Sequence, residues 1–286
     1  MKNKSGNTAF GAAAFRLIEQ YEPEDKRLFN DPVIYYLTNS VLRFILKSEF
    51  MRNYYVHLSD KMIPGIVGGQ ICRTKFIDEK TSQVLKDVQQ ILILGAGLDT
   101  RALRIKGIEE KVIYEIDLPD VQEYKKQKLL KYYGKLPAMV NYIPVDFNEM
   151  KTETALNSTS FDYDKRTLVI LEAVIQYIKR DAVDEVFNFL SKLTNNSYLI
   201  FTYVLHDVIE RKNETAKKLM DWSAKHNCPF LFGINQTEIE SFLKNYNLEI
   251  LEDVGAEFYQ EKYLKPLHRN VVTLDGERTN ISRIVK

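Results

Sequence analysis

A glycine loop and three separated carboxylates are the residues whose types and spacing suggest chemistry. Gly95-Ala96-Gly97-Leu98-Asp99-Thr100-Arg101 follows the apolar run Gln90–Leu94. Glycines let a backbone approach a bound molecule closely and take positive φ. The loop therefore suits a nucleotide or nucleoside, or is a tight strand-to-helix turn with no ligand. Thr100 stands where the dinucleotide fingerprint has its third glycine, which disfavours NAD and FAD. Asp117 lies 20 residues after Gly97. Its carboxylate can accept from both hydroxyls of a ribose or cap the helix that Pro119 opens. Glu115, on the same strand face, is the alternative ribose acid. Asp146 can accept from an adenine amino group while the next backbone N–H reaches a ring nitrogen and Phe147 lines the base. An ordinary Asp turn with an apolar neighbour is the other reading. Glu172 interrupts the run Leu168–Ile175, and a charge there is costly unless it is paired or faces a cleft. Tyr177 can lean over the same cleft or pack as an ordinary amphipathic aromatic.

The composition excludes other chemistries. The chain of 286 residues has 40 Lys plus Arg against 39 Asp plus Glu, so its net charge gives no footprint of a nucleic-acid binder. Cys72 and Cys228 lie far apart with no CxxC partner and read as reduced, buried thiols. The histidines His57, His206, His226 and His268 form no metal-binding pair, so no metal is expected. The N-terminal residues lack the apolar stretch of a signal peptide, and no window reaches the length of a membrane span. The expected compartment is the cytoplasm, with no membrane partner.

These residues must be positioned by elements, and the texture of the chain changes near residue 88. Residues 1–86 read as a helical N-terminal segment. Thr8 can cap a first helix, and Asp31-Pro32 opens a second with Ile34, Leu37, Val41, Phe44 and Ile45 at helical spacing. Pro64-Gly65 and Gly68-Gly69 are expected to break the chain before a helix near 70–79. From 87 to 286, short apolar runs alternate with helical stretches. Strands are expected at 90–94, 111–116, 140–145, 167–171, 197–203, 248–251 and 270–274, and helices at 98–106, 119–133, 181–193 and 238–245. That alternation predicts an α/β, doubly wound, mostly parallel seven-stranded sheet. A polar helical insertion at about 204–235 carries Trp222, the sole tryptophan. The N-terminal segment is short for a core of its own and is expected to pack as a lid over the carboxyl edge of the sheet. Ligands of open parallel sheets bind at that edge, where the glycine loop, Asp117, Asp146 and Glu172 converge.

The sequence resembles the leucine carboxyl methyltransferase family of class I methyltransferases, and within it the bacterial branch related to polyketide O-methyltransferases. The residues that carry the resemblance are Ile71-Cys-Arg73-Thr-Lys-Phe-Ile-Asp78, Leu94-Gly-Ala-Gly-Leu-Asp-Thr-Arg101, Tyr114-Glu-Ile-Asp-Leu-Pro119, Val145-Asp-Phe147 and Leu171-Glu-Ala-Val-Ile-Gln-Tyr-Ile178. Ser5-Gly-Asn-Thr-Ala9 and Phe29-Asn-Asp31-Pro32 look similar as well. The resemblance implies a Rossmann-like fold and S-adenosyl-L-methionine (SAM) as cofactor. It implies that Arg73 holds the methionine carboxylate, that Gly95, Ala96, Gly97 and Thr100 belong to the loop around the cofactor, and that Asp117 with Leu118 meets the ribose. Asp146 and Phe147 would frame the adenine, and Glu172 would stand near the methionine end.

The expected activity is O-methylation of a carboxylate or acidic hydroxyl, with a small-molecule acid or phenol as acceptor. A carboxylate is already ionised at neutral pH and needs no general base, which suits a chain with no evident Ser-His-Asp or Cys-His constellation. Arg16 and Tyr177 are expected on the acceptor side. The 17 tyrosines and 15 phenylalanines concentrate in the N-terminal segment and around the insertion, which favours a flat or apolar acceptor. The rival readings are a protein C-terminal carboxyl methyltransferase, an NAD-type oxidoreductase on a similar scaffold, and a non-catalytic SAM-binding protein.

Overall fold

The change of period at residue 88 becomes a change from helices to an open sheet. The computed structural model describes residues 6–147 and 149–286. Ser5, quoted above, lies outside them. Five helices come first: α1 (Gly6–Glu19), α2 (Ile34–Leu37), α3 (Ser40–Lys47), α4 (Glu49–Met62) and α5 (Ile66–Val84). α1 starts at Gly6, two residues ahead of the expected cap at Thr8. The helix expected from Asp31-Pro32 is cut in two. Thr38 is extended, and the Asn39 side chain accepts from Leu42 N at 2.7 Å, so a new helix begins there. The cut turns the helical stripe outward, and Phe44 is 81% exposed.

Gly68 and Gly69 do not break the chain; they lie inside α5. Their lack of side chains makes room for residues 272–274 to cross the helix. A Cβ on Gly68 would stand 2.1 Å from the Val272 carbonyl oxygen, and one on Gly69 2.8 Å from Leu274 Cβ. Gly65 supplies the left-handed N-cap, with φ of 81°.

The sheet region follows in order: β1 (Gln90–Leu94), α6 (Arg101–Arg104), β2 (Val112–Asp117), α7 (Pro119–Tyr133), β3 (Val140–Pro144), α8 (Thr152–Leu156), β4 (Thr167–Leu171), α9 (Arg180–Leu190), β5 (Tyr198–Val204), α10 (His206–Ile209), α11 (Glu214–Lys225), α12 (Ile239–Lys244), β6 (Leu248–Val254), α13 (Ala256–Tyr259) and β7 (Glu277–Ile284). The strand order is β3-β2-β1-β4-β5-β7-β6. All pairs are parallel except those of β7, which runs antiparallel to β5 and β6. The expected doubly wound, mostly parallel, seven-stranded fold is the one observed. The strand order reverses between β1 and β4, which is where such sheets open a crevice.

Alternation along the strands sorts the core into two faces. Ile91 and Ile93 join Leu17, Ile71 and Phe76 of α1 and α5. Leu92 and Leu94 join Phe187 and Phe242 of α9 and α12. Full burial of each such side chain stabilises by about 1.5–3 kcal/mol. α5 is thus a packing layer on the sheet, while α1 and α4 reach over its carboxyl edge. Among the described residues no helix is long and apolar enough to cross a membrane.

The expected helix at 98–106 shrinks to α6, because Leu98–Thr100 turn first and Asp99 Oδ1 accepts from Arg101 N at 2.6 Å. The expected last strand at 270–274 is the irregular stretch that crosses α5. The strand is β7 instead, whose sequence Glu277–Ile284 hides it with polar residues. Thr279, Asn280 and Ser282 among them are buried and partnered: Tyr259 donates to Thr279 Oγ1 at 2.7 Å, and Asn280 donates to Asp253 at 3.2 Å. In the insertion, helix is confined to α10 and α11; beyond them, Ile234 forms a bridge with Leu205.

Candidate active site

The ends of β1, β2, β3 and β4 at the carboxyl edge each deliver a group to a common cavity of about 600 Å³. Gly95 and Gly97 turn the chain out of β1 with φ of 68° and 48°. The Gly95 and Ala96 N–H groups donate to Ile116 O at 2.8 and 3.0 Å, which ties the loop to β2. A Cβ on Gly95 would collide with Val174 Cγ2 at 2.3 Å. At Gly97 the nearest atom to such a Cβ is Ala9 Cβ at 3.3 Å, so α1 closes over the loop.

Asp117 ends β2 beneath that loop. Its carboxylate accepts from Gly97 N at 2.5 Å and from Leu118 N at 2.6 Å. Burial raises its pKa, and those two backbone N–H groups pull it back. Each carboxylate oxygen keeps a further lone pair for a ligand hydroxyl. Asp146 and Phe147 follow β3 and line the same end of the cavity. Glu115, the alternative ribose acid, is buried and bound by Lys125 Nζ at 2.5 Å, and it does not line the cavity.

Beyond β1 the wall becomes ionic. Arg73 of α5 is 2% exposed. Its Nε donates to Glu172 at 2.9 Å, its Nη1 to Glu277 at 2.6 Å and its Nη2 to Gln70 at 2.7 Å. Glu172 also pairs with Arg101 at 2.9 Å. Burial would raise the pKa of Glu172, but the charges of Arg101 and Arg73 outweigh it and hold the carboxyl below its usual range. Asp99, between the loop and Arg101, is likewise desolvated yet drawn down to about 2, chiefly by Arg101. Asp78 pairs with Arg101 at 2.8 Å and with Arg104.

Arg16 and Tyr177 also line the cavity. The Arg16 guanidinium, however, is turned to Asp31 at 2.6 and 3.0 Å, Leu98 O at 3.0 Å and Thr100 Oγ1 at 2.7 Å. Thr100 is buried in this ion cluster and, alone of the expected cofactor residues, does not line the cavity. Tyr177 meets Phe230 edge-on at 5.3 Å. Burial, with Cys228 and Glu277 nearby, pushes its hydroxyl pKa well up, so it stays an O–H donor. Around it the wall is apolar, formed by Tyr55 and Met62 of α4, Leu219 and Trp222 of α11, and Phe230. Sequence reading missed Glu277, because the antiparallel β7 that sets it beside Val204 at the carboxyl edge was not foreseen. It also missed Gln70 and the 227–231 wall. The motif acids and arginines Asp78, Asp99 and Arg101 were visible but had no assigned partners.

A glycine loop that opens into a cavity, a two-oxygen carboxylate beside it and a guanidinium held by carboxylates across it suit a zwitterionic nucleoside. The comparisons agree with that chemistry. The chain aligns with a protein of Mycolicibacterium gilvum provisionally named an S-adenosyl-L-methionine-dependent methyltransferase, with 28% identity over 226 residues, covering 77% of this chain and 73% of that one. A Mycobacterium tuberculosis protein with the same provisional name shares 26% over 219 residues, 75% of this chain and 69% of that one. Among solved structures, a DUF574 family protein of Streptomyces avermitilis has a TM-score of 0.64 at 13% identity, covering 99% of this chain and all of that one. A Thermobifida fusca protein, titled provisionally as a methyltransferase, has a TM-score of 0.61 at 15% identity, covering 96% and 94%. At such identities the two structures speak for the fold alone. The leucine carboxyl methyltransferase profile matches residues 9–191, which hold the loop, Asp117, Asp146, Arg73 and Glu172, and the chain belongs to that family.

Proposed function

We propose that this S-adenosylmethionine-dependent methyltransferase passes the methyl group to an acidic oxygen, a carboxylate or an acidic hydroxyl, of a small apolar or aromatic molecule. The observation that carries the reading is one cavity whose lining joins the glycine loop and the strand-end carboxylates to an aromatic wall. The polar end fits SAM on its own chemistry. Asp117 offers lone pairs to the ribose, Asp146 and Phe147 stand where an adenine edge and face can be met, and Arg73 keeps N–H groups for the amino-acid carboxylate. Glu172 and Glu277 balance the cationic charge. Bound SAM supplies an electrophilic methyl group on a sulfonium sulfur.

The chain's part is alignment and exclusion of water. The loop and Asp117 fix the nucleoside, and α1 and α4 cover the edge. Tyr177, a persistent O–H donor, can hold the acceptor oxygen beside the transfer point. The test is production of S-adenosylhomocysteine (SAH) from SAM with a panel of small aromatic acids and phenols. Turnover with at least one of them is expected. NADH binding by a protein that ignores SAM would overturn the assignment.

A further inference from the structure

The cavity wall carries carboxylates from Asp99, Asp117, Asp146, Glu172 and Glu277. Among the described residues its cations are Arg16 and Arg73. A guanidinium has five N–H groups. Arg16 uses four of them on Asp31, Leu98 O and Thr100. Arg73 uses one on each nitrogen, for Glu172, Glu277 and Gln70, and so keeps one N–H on each terminal nitrogen. Those two N–H groups are enough for one carboxylate. The N–H groups of Gly95, Ala96 and Gly97 are also taken, by Ile116 O and by Asp117.

We propose that the cavity holds a single anionic group, the cofactor's own carboxylate, and that the acceptor therefore enters uncharged, as a hydroxyl on an aromatic or apolar body rather than as a carboxylate. The proposal rests on the methyltransferase reading and chooses between its two acceptor classes. An incoming carboxylate would meet Glu277 and Glu172 with a single N–H, on Arg16, left among the guanidinium groups of the wall, and like charges brought together in a desolvated site oppose its binding. A hydroxyl has no such conflict. The aromatic end, with Trp222, Phe230 and Tyr55, buries its ring. The transfer then balances with loss of one proton: the hydroxyl oxygen bonds to the methyl carbon, the sulfur keeps the electron pair of the broken C–S bond, and the hydroxyl proton leaves to solvent. Glu277 becomes the residue that sets this selectivity, because it occupies the side of Arg73 that an acceptor carboxylate would need.

The experiment measures binding to the SAH-loaded protein at pH 7.5 of matched probes: benzoic acid, benzamide and phenol, each with and without a 4-phenyl group. At that pH the acids are ionised and the others neutral. Both neutral probes of each set are expected to bind at least about tenfold tighter than the acid. Glu277→Gln keeps the size of the side chain and removes its negative charge from Arg73, so it is expected to tighten the acids more than about fivefold relative to the neutral probes. An acid that binds wild-type protein as tightly as its amide overturns the proposal and leaves the methyltransferase reading standing. If SAH itself does not bind, reading and proposal fall together.

Discussion

At the scale of single residues, the candidate site runs on carboxylates whose ionisation is set by burial against nearby donors. Asp117 shows the balance clearly, since two backbone N–H groups bind it and burial still raises its pKa. Asp117→Ala removes the acceptor for the ribose and should weaken SAM binding by about 1–3 kcal/mol, the cost of leaving buried polar partners unmet. Calorimetric titration checks this, and an unchanged affinity in a folded variant removes Asp117 from that role. The raised pKa also gives a sign: as pH falls, Asp117 takes up its proton earlier than an ordinary aspartate, so affinity should decline from a higher pH than such a residue would allow. Arg73→Lys keeps the charge but loses the fork that bridges Glu172, Glu277 and Gln70. It should cost about 1.5–3 kcal/mol in SAM affinity, the worth of a charge-assisted hydrogen bond; equal affinity in the variant would show that the fork is not used. The acids of this site were legible because charges inside apolar strand runs stand out. Glu277 was not, because its strand is polar and its neighbours in space are distant in sequence.

At the scale of elements, the site depends on a crossing that propensity could not reveal. Gly68 and Gly69 read as chain breakers, yet they lie inside α5 because residues 272–274 press against that helix. A glycine pattern marks close approach as well as a turn, and the approaching partner lies some 200 residues away, beyond the reach of local periodicity. The same blindness put the last strand at 270–274. The parallel strands were readable almost to the residue, since strands covered on both faces appear as continuous apolar runs. Gly68→Ala drives a methyl group to within 2.1 Å of the Val272 carbonyl oxygen. Neither backbone can yield cheaply, so the variant should lose about 1–3 kcal/mol of stability, read as a lower denaturant midpoint. Gly11 is the internal control: nothing lies within 4 Å of a Cβ placed there, and Gly11→Ala within α1 should stabilise slightly. Equal effects of the two substitutions would show that the crossing does not constrain α5.

At the scale of the whole molecule, ion pairs rather than apolar contacts alone join the N-terminal helices to the carboxyl edge. Arg16 of α1 meets Asp31 ahead of α2; Asp31 meets Thr100 and Arg104; Arg104 and Arg101 meet Asp78 of α5; and Arg101 meets Glu172 after β4. Asp31, Asp99 and Glu172 are each desolvated, yet each is held below its usual pKa by the facing guanidinium groups. A carboxylate with a lowered pKa in the folded state contributes stability that is fully present above its unfolded value and is lost as pH falls through the folded one. The unfolded values lie near 4, and Asp99 folded titrates at about 2. The stability that these three carboxylates contribute should therefore hold down to roughly pH 4–5 and be lost between there and about pH 2. Arg101→Met tests the origin of that slope. It strands Asp99 as a buried charge and takes from Glu172 and Asp78 one of their two guanidinium partners, and should cost about 3–5 kcal/mol at neutral pH. With the Arg101 charge gone, Asp99 should protonate nearer neutrality, so on mild acidification the variant should gain stability beyond what the buried, raised carboxyls of Glu115 and Asp117 give both proteins. Parallel stability curves for the two proteins from pH 7 to 4 would place the acid sensitivity elsewhere. Because the same cluster borders the cofactor loop, the variant should also lose SAM affinity, which ties closure of the N-terminal helices over the edge to occupation of the cavity beneath them.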